Sequence, residues 1–277
     1  MDKFLYGCIY LSAAIAVSVL PMIICYVTVR GIGSVSLEFL TTVTSARKGT
    51  VGIAGNIVNT LYIIMITLVI ATPIGVGSAI YLNEYAKPGK IVRIIEFTTE
   101  TLSGIPSIIF GLFGSVFFGT TLKLGYSLLT GALTLSLMIL PLITRNTQEA
   151  LRTVPDSYRS GALGMGATKW HMIRTILLPS AMPGIITGVI LAIGRIVGES
   201  AALLFTAGSG YLLPKAGGWL SKILQPGGTL TIQLYLSSSK AEYNVAFGIA
   251  FVLLVIVLCI NFLTKYLAKR FDVTRMK

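Results

Sequence analysis

Two ionisable residues stand inside an otherwise apolar stretch: Arg195 and Glu199, in GRIVGES. A charge in hydrocarbon is costly, so both must face a helix bundle or an aqueous path. Spaced four apart, they share one face of a helix. A planar guanidinium can hold an oxyanion through two parallel hydrogen bonds. Arg195 is therefore a candidate for passing an anion, with Glu199 holding or gating it. The other reading of the pair is an Arg–Glu lock in helix packing, and the two are compatible. A second group precedes another apolar run. Glu96 and Glu100 are again four apart, with Arg93 close by, which gives a cluster of gating or edge charges at the membrane boundary. Ser103 and Ser107 flank Gly104 and Pro106. Their hydroxyls either serve an anion or bond back to their own helix.

Other chemistry is poorly provided for. The single His171 lies in a polar loop and cannot make a metal site alone. Cys8, Cys25 and Cys259 lack metal-ligand spacing and read as buried packing residues. There is no Gly-rich loop ending in Lys and Ser/Thr, so the chain is not expected to hydrolyse ATP. An intramembrane enzyme would need clustered His, Asp or Ser–base pairs within the apolar stretches. No catalytic residue and no metal ligand is assigned.

The elements that must position these residues are membrane helices. Of 277 residues, 54% are hydrophobic and 12% charged. The mean hydropathy is +0.84. A soluble domain of this length needs far more charge on its surface. Six spans are expected: Leu5–Val29, Ile57–Leu82, Phe97–Phe118, Leu124–Ile143, Gly184–Phe205 and Val245–Thr264. The first is too long for the apolar core of a secretory signal and reads as a retained helix. Pro73, Pro106 and Pro141 lie in or near spans, where each can kink or end a helix.

The formal charge of +12 reflects loop lysines and arginines rather than a nucleic-acid partner. Of the 22 basic residues, fourteen fall on one side, including Lys87, Lys90, Arg145, Arg152, Arg159 and Arg174. Seven fall on the other: Arg30, Arg47, Lys48, Lys123, Lys215, Lys222 and Lys240. The basic side is expected in the cytoplasm, with both termini. The loop from Thr144 to Pro183 keeps apolar residues at helical intervals and predicts short amphipathic helices under the membrane. The loop from Ala207 to Asn244 holds Trp219 and an apolar run, Leu230 to Leu236. That run either dips into the membrane or packs over the bundle.

The basic loop reads SGALGMGATKWHMIRTILLP from Ser160 to Pro179. It resembles the signature loop of permease subunits of ABC importers: Glu-Ala-Ala, three residues, Gly, nine residues, Ile, one residue, Leu-Pro. Ala162, Gly166, Ile176, Leu178 and Pro179 match in type and spacing, while Ser160 and Gly161 replace the usual Glu and first Ala. Glu149-Ala150 is at the wrong distance from Gly166 to substitute. The resemblance implies a short helix seated in a groove of a cytoplasmic ATPase, whose closure switches the membrane helices between inward- and outward-facing states. Gly166 would permit the tight turn after that helix. Lys169 and Trp170 would offer a charge and a large apolar contact. The competing reading is a surface helix anchored to lipid.

Four stretches together narrow the resemblance to PstA-type permeases of bacterial phosphate importers: TPIGVGSAIYLNEYA (72–86), LSGIPSIIFGLFG (102–114), VPDSYRSGALGMGATKWHMIRTILLP (154–179) and GRIVGESAALLFTAG (194–208). This implies an all-α integral membrane protein of six transmembrane helices with the type I ABC importer permease fold and cytoplasmic coupling helices between helices 4 and 5. The expected division is a first helix and linker (1–58), a permease domain (59–265) and a basic tail (266–277). The family implies a heterodimer with a second homologous permease, two copies of an ATP-binding subunit, and an extracytoplasmic phosphate-binding protein. ATP and Mg would be bound by the ATPase, and no cofactor by this chain. A phosphate-sensing kinase is a secondary expected partner. Permeases for phosphonate, sulfate or molybdate, the sister permease of the same importer, and a secondary transporter with midplane ion sites are the alternatives.

Overall fold

The computed structural model describes residues 2–45, 50–87, 89–213, 218 and 220–270. Arg47, Lys48, Lys215 and Trp219, weighed above, lie outside them, as does the end of the basic tail, 271–277.

Among the described residues, five helices are long and apolar enough to cross a bilayer, and a bent pair makes a sixth passage if counted as one. Helix α1 spans Asp2–Gly31. A short helix, α2 (Leu37–Thr41), follows and is capped by Ser36, whose hydroxyl accepts from the Phe39 amide. An antiparallel strand pair comes next, β1 (Val43–Ser45) and β2 (Thr50–Ile53), with Val43 opposite Ile53. This hairpin is a departure from a purely helical expectation. Helix α3 (Ala54–Ile80) runs through Pro73 and ends in a wider turn at Tyr81–Tyr85.

The expected third span, Phe97–Phe118, is not one helix. It is α4 (Lys90–Ser103) and α5 (Ser107–Gly114), the latter continued by wide turns over Ser115–Thr121, with a 101° bend between them. Pro106 has no amide proton and takes an extended backbone, ψ 138°, so the helical ladder cannot pass through it. Helix α6 (Leu128–Arg152) starts and ends later than the expected Leu124–Ile143. Lys123 and Gly125 take positive φ, and Ser127 caps the new helix through the Thr130 amide. Pro141 sits inside α6 without ending it.

The basic loop folds as α7 (Asp156–Gly164) and α8 (Lys169–Met172), as its periodicity predicts. Helix α9 (Leu178–Gly198) begins earlier than the expected Gly184 and stops before Glu199. The chain resumes as α10 (Ala201–Thr206). After a loop come α11 (Leu230–Ser239) and α12 (Tyr243–Arg270). At ten residues α11 is too short to cross hydrocarbon and packs against α12 and α3.

The core lies where α3, α6 and α9 meet, with Ile63, Ala71, Leu135, Ile139, Ala192 and Ile196 fully enclosed. Helix α5 is drawn onto α10 at Gly111, where an added Cβ would sit 2.8 Å from the Ala202 Cα. The loop before α11 is pinned to the start of α3. Asn56 Nδ2 donates to the Gly228 carbonyl at 2.9 Å, Asn59 Nδ2 to Gly210 at 3.0 Å, and the Leu230 amide to Thr60 Oγ1 at 3.0 Å. Helix α1 stands apart over most of its length and meets α12 near its end, where Tyr26 packs edge-on against Phe247 at 5.7 Å. The cysteines expected in the core are exposed on α1 and α12, because those helices turn much of their apolar surface outward from the chain.

Candidate substrate path and coupling surface

The candidate coupling loop is built around Gly166. Its φ is +84°, a conformation that side chains with a Cβ rarely adopt. The Ala167 amide donates to the Ala162 carbonyl at 3.1 Å and the Gly166 amide to Leu163 at 3.0 Å. These two bonds close α7 as a Schellman turn. Ala162 is buried with Leu151, Val154, Met172, Ile173 and Leu177, while Ile176 and Leu178 pack at the edge of this small core. Pro179 follows wide helical turns over Ile173–Leu177, which run on into α9 and accommodate its missing amide. Ser160 and Gly161 face outward, and the Ser160 hydroxyl donates to its own helix at Asp156 O, 3.1 Å. Trp170 and Met165 are 59% and 90% exposed, with Tyr158 and Leu163 also open, so an apolar surface caps the loop. Lys169 Nζ lies 5.0 Å over the Tyr85 ring.

A residue the sequence counted only as a loop charge holds this unit in place. Arg159 Nη2 donates to Glu84 Oε1 at 3.0 Å and to the Leu151 carbonyl at 2.9 Å. Its Nη1 donates to the Val154 carbonyl at 2.9 Å and to Asp156 at 3.0 Å. Only 18% of the Arg159 side chain and 5% of Glu84 are exposed. The pair thus ties α7 to the end of α3. An acid closing a long apolar helix was the available signal.

The edge charges arrange differently from their sequence neighbours. Glu96 pairs with Arg152 at 3.4 Å and Glu100 with Arg145 at 3.5 Å, so α4 is strapped to α6. Glu149 pairs with Arg145 at 3.8 Å. Arg93 is exposed and takes no part in these ion pairs.

Arg195 and Glu199 do not form the expected pair. Glu199 leaves the helix with ψ 123°. Its carboxylate accepts from the Ala202 amide at 3.0 Å and so caps α10. Its carbonyl accepts from Thr231 Oγ1 at 2.9 Å. Arg195, in the last turn of α9, is exposed and has no ion-pair partner among the described residues. Ser103 Oγ donates back to the Glu100 carbonyl at 2.7 Å. The half-buried Ser107 hydroxyl makes no hydrogen bond among the described residues, and no contact joins either serine to Arg195. The described residues contain no group of three His, Cys, Asp or Glu placed to hold a metal.

Away from these groups, Lys222 is 1% exposed, and its Nζ donates to the Pro226 carbonyl at 3.4 Å. Burial pushes its ammonium below the usual lysine range.

A multi-pass bundle, a capped turn at Gly166 and an arginine in an apolar helix without an ion-pair partner among the described residues fit a transporter permease subunit. The chain belongs to the family of binding-protein-dependent transport system inner membrane components, which it matches over residues 71–273. Members are non-catalytic permease subunits of ABC transporters, integral to the inner membrane, that work with an ATPase and a substrate-binding protein. Among relatives, the probable ABC transporter permease protein YqgI of Bacillus subtilis is 42% identical over 207 residues, covering 75% of this chain and 70% of that one. The phosphate transport system permease protein PstA of Xylella fastidiosa is 34% identical over 236 residues, 84% of this chain and 80% of that one. PstA of Haemophilus influenzae is 32% identical over 267 residues, 95% and 92% of the two chains. In fold, the chain is similar to a chain of a bacterial alginate ABC transporter, with a TM-score of 0.71 at 14% identity over 98% of this chain and 96% of that one. A chain of the MetNI methionine transporter gives 0.60 at 22% identity, over 79% and 94%.

Proposed function

We propose that this chain is one permease half of an importer that moves inorganic phosphate into the cytoplasm, driven by ATP hydrolysis in a partner subunit. The observation that carries the reading is Arg195: a guanidinium in an apolar helix, without an ion-pair partner among the described residues and open at the surface of the isolated chain. A second homologous permease, packed there as a heterodimer, would enclose that surface and make it a path. A guanidinium with free donors binds an oxyanion bidentately and releases it when the helices move. Similarity to PstA permeases over most of the length supports phosphate as that oxyanion. Glu199 sets the break above Arg195. Ser103 and Ser107 contribute hydroxyls to the path and Arg93 a charge at its edge, while Glu96 and Glu100 hold α4 to α6 through Arg152 and Arg145.

In this reading residues Ser160 to Pro179 face the cytoplasm with both termini, following the basic loops. Two ATP-binding subunits, which hold ATP and Mg, dock at Trp170, Lys169 and the turn at Gly166. An extracytoplasmic phosphate-binding protein delivers the substrate, and a phosphate-sensing kinase reads the state of the complex. The test is uptake of radiolabelled phosphate at low external concentration by a host lacking its own copy of this subunit. Restored uptake that unlabelled sulfate and phosphonate do not compete with is the expected result. Assembly of the complex without phosphate uptake would overturn the substrate assignment.

A further inference from the structure

The bend between α4 and α5 leaves a groove whose lining suits a molecule other than a phosphate ion. Its apolar section encloses about 490 Å³ between α3, α4, α5 and α6, with Ile74, Ile95, Leu102, Ile109, Phe113 and Leu140 in its walls. That volume is within the roughly 300–1,000 Å³ of small-ligand sites. Its charged section, about 240 Å³, is lined by Glu96, Glu100, Arg145, Gln148, Glu149 and Arg152. Leu82 and Thr99 line both sections, so the two are continuous.

The polarity runs the same way on two of the walls. Helices α4 and α5 pass from Glu96 to Phe113, and α6 from Arg152 to Leu137, while Ile74 and Ser78 of α3 and Leu82 beyond its end add a wall without charge. One end is charged, and the other is aliphatic and aromatic. A dry apolar wall would strip a phosphate ion of water without replacing its hydrogen bonds. A phospholipid has the matching polarity.

The charged end selects the headgroup. It carries three carboxylates and two guanidiniums, joined by long contacts of 3.5, 3.8 and 3.4 Å. Each arginine keeps donors free and each carboxylate keeps lone pairs. A purely anionic headgroup would meet an excess of carboxylate. A zwitterionic one with a donating ammonium satisfies both signs.

We propose that this groove holds a phosphatidylethanolamine-class lipid. Its ammonium lies among Glu96, Glu100 and Glu149, its phosphate toward Arg145 and Arg152, and one acyl chain along Ile95, Leu102 and Phe113. The proposal is independent of which oxyanion the transporter carries.

The test uses the full chain in its assembled transporter, reconstituted in nanodiscs of equal parts phosphatidylethanolamine, phosphatidylcholine and phosphatidylglycerol. Retained lipid is counted by native mass spectrometry after stepwise delipidation. The expected result is a retained phosphatidylethanolamine favoured about tenfold over phosphatidylcholine, whose quaternary ammonium cannot donate a hydrogen bond. Leu102→Trp and Thr99→Phe, which fill the groove, should remove it. Equal retention of phosphatidylcholine, preference for phosphatidylglycerol, or retention unchanged in both filled variants would each overturn the proposal. So would cross-linking of Leu102→Cys to the second permease with no lipid retained, which would place a protein helix there. If a filled variant fails to assemble, the headgroup comparison on the unaltered chain decides alone.

Discussion

Glu84 closes a long apolar helix with its carboxylate nearly enclosed, and Arg159 reaches it from the coupling unit with donors to spare for the Leu151 and Val154 carbonyls. Removing one member of such a pair leaves an uncompensated buried charge, at a cost of about 3–5 kcal/mol. Arg159→Ala should therefore loosen residues 151–164 and weaken binding of the ATPase. The double change Glu84→Gln with Arg159→Ala should cost less than Arg159→Ala alone. Hydrogen exchange over those residues in the assembled complex measures both. Lys222 gives the opposite expectation. Burial favours its neutral form, so the unfolded chain binds the proton more tightly than the folded one. Its contribution is most unfavourable below the lowered folded pKa and is relieved as pH rises toward the ordinary 10.5. Lys222→Met should accordingly slow exchange of the loop amides near neutral pH, with the gain shrinking as pH rises. An equal gain at all pH values would contradict this account.

At the scale of elements, the breaks matter as much as the helices. Long apolar runs made most spans legible, because hydrocarbon thickness sets their length. The breaks were harder to place. Gly104 and Pro106 signalled a local opening but not a 101° bend. Nothing in GRIVGES announced that Glu199 would leave the helix, since its spacing from Arg195 suits a continuous one; its local cap on the Ala202 amide and a tertiary bond from Thr231 decide it. The turn at Gly166 was legible because glycine supplies a backbone conformation that few other residues accept. The Arg159–Glu84 tie was not, because it joins residues 75 apart. Open space surrounds the Cβ position at Gly166, so a substitution there acts through φ alone. Gly166→Ala should cost about 1–2 kcal/mol, and Gly166→Asn less, since Asn tolerates the left-handed region. Co-purification of the ATPase should fall in that order, with membrane insertion unchanged; equal losses for both variants would point to side-chain contact instead.

As a whole molecule, the chain is built to be completed. Helix α1 is almost uncovered, the loop at Gly166 exposes Trp170 and Met165, and Arg195 opens outward without a counter-ion among the described residues. An exposed arginine in a membrane helix is tolerable only when a second chain encloses it or water reaches it. The central claim is that Arg195 serves the substrate and not the packing. Its direct test is the assembled complex in proteoliposomes with a phosphate-loaded binding protein, comparing the unaltered chain with Arg195→Ala. Complex yield and ATP-driven phosphate accumulation are measured on the same preparation. Loss of charge-assisted hydrogen bonds to the anion predicts accumulation reduced about 10- to 100-fold with yield and subunit composition unchanged. Failure of the variant to assemble, or transport at the unaltered rate, would contradict it.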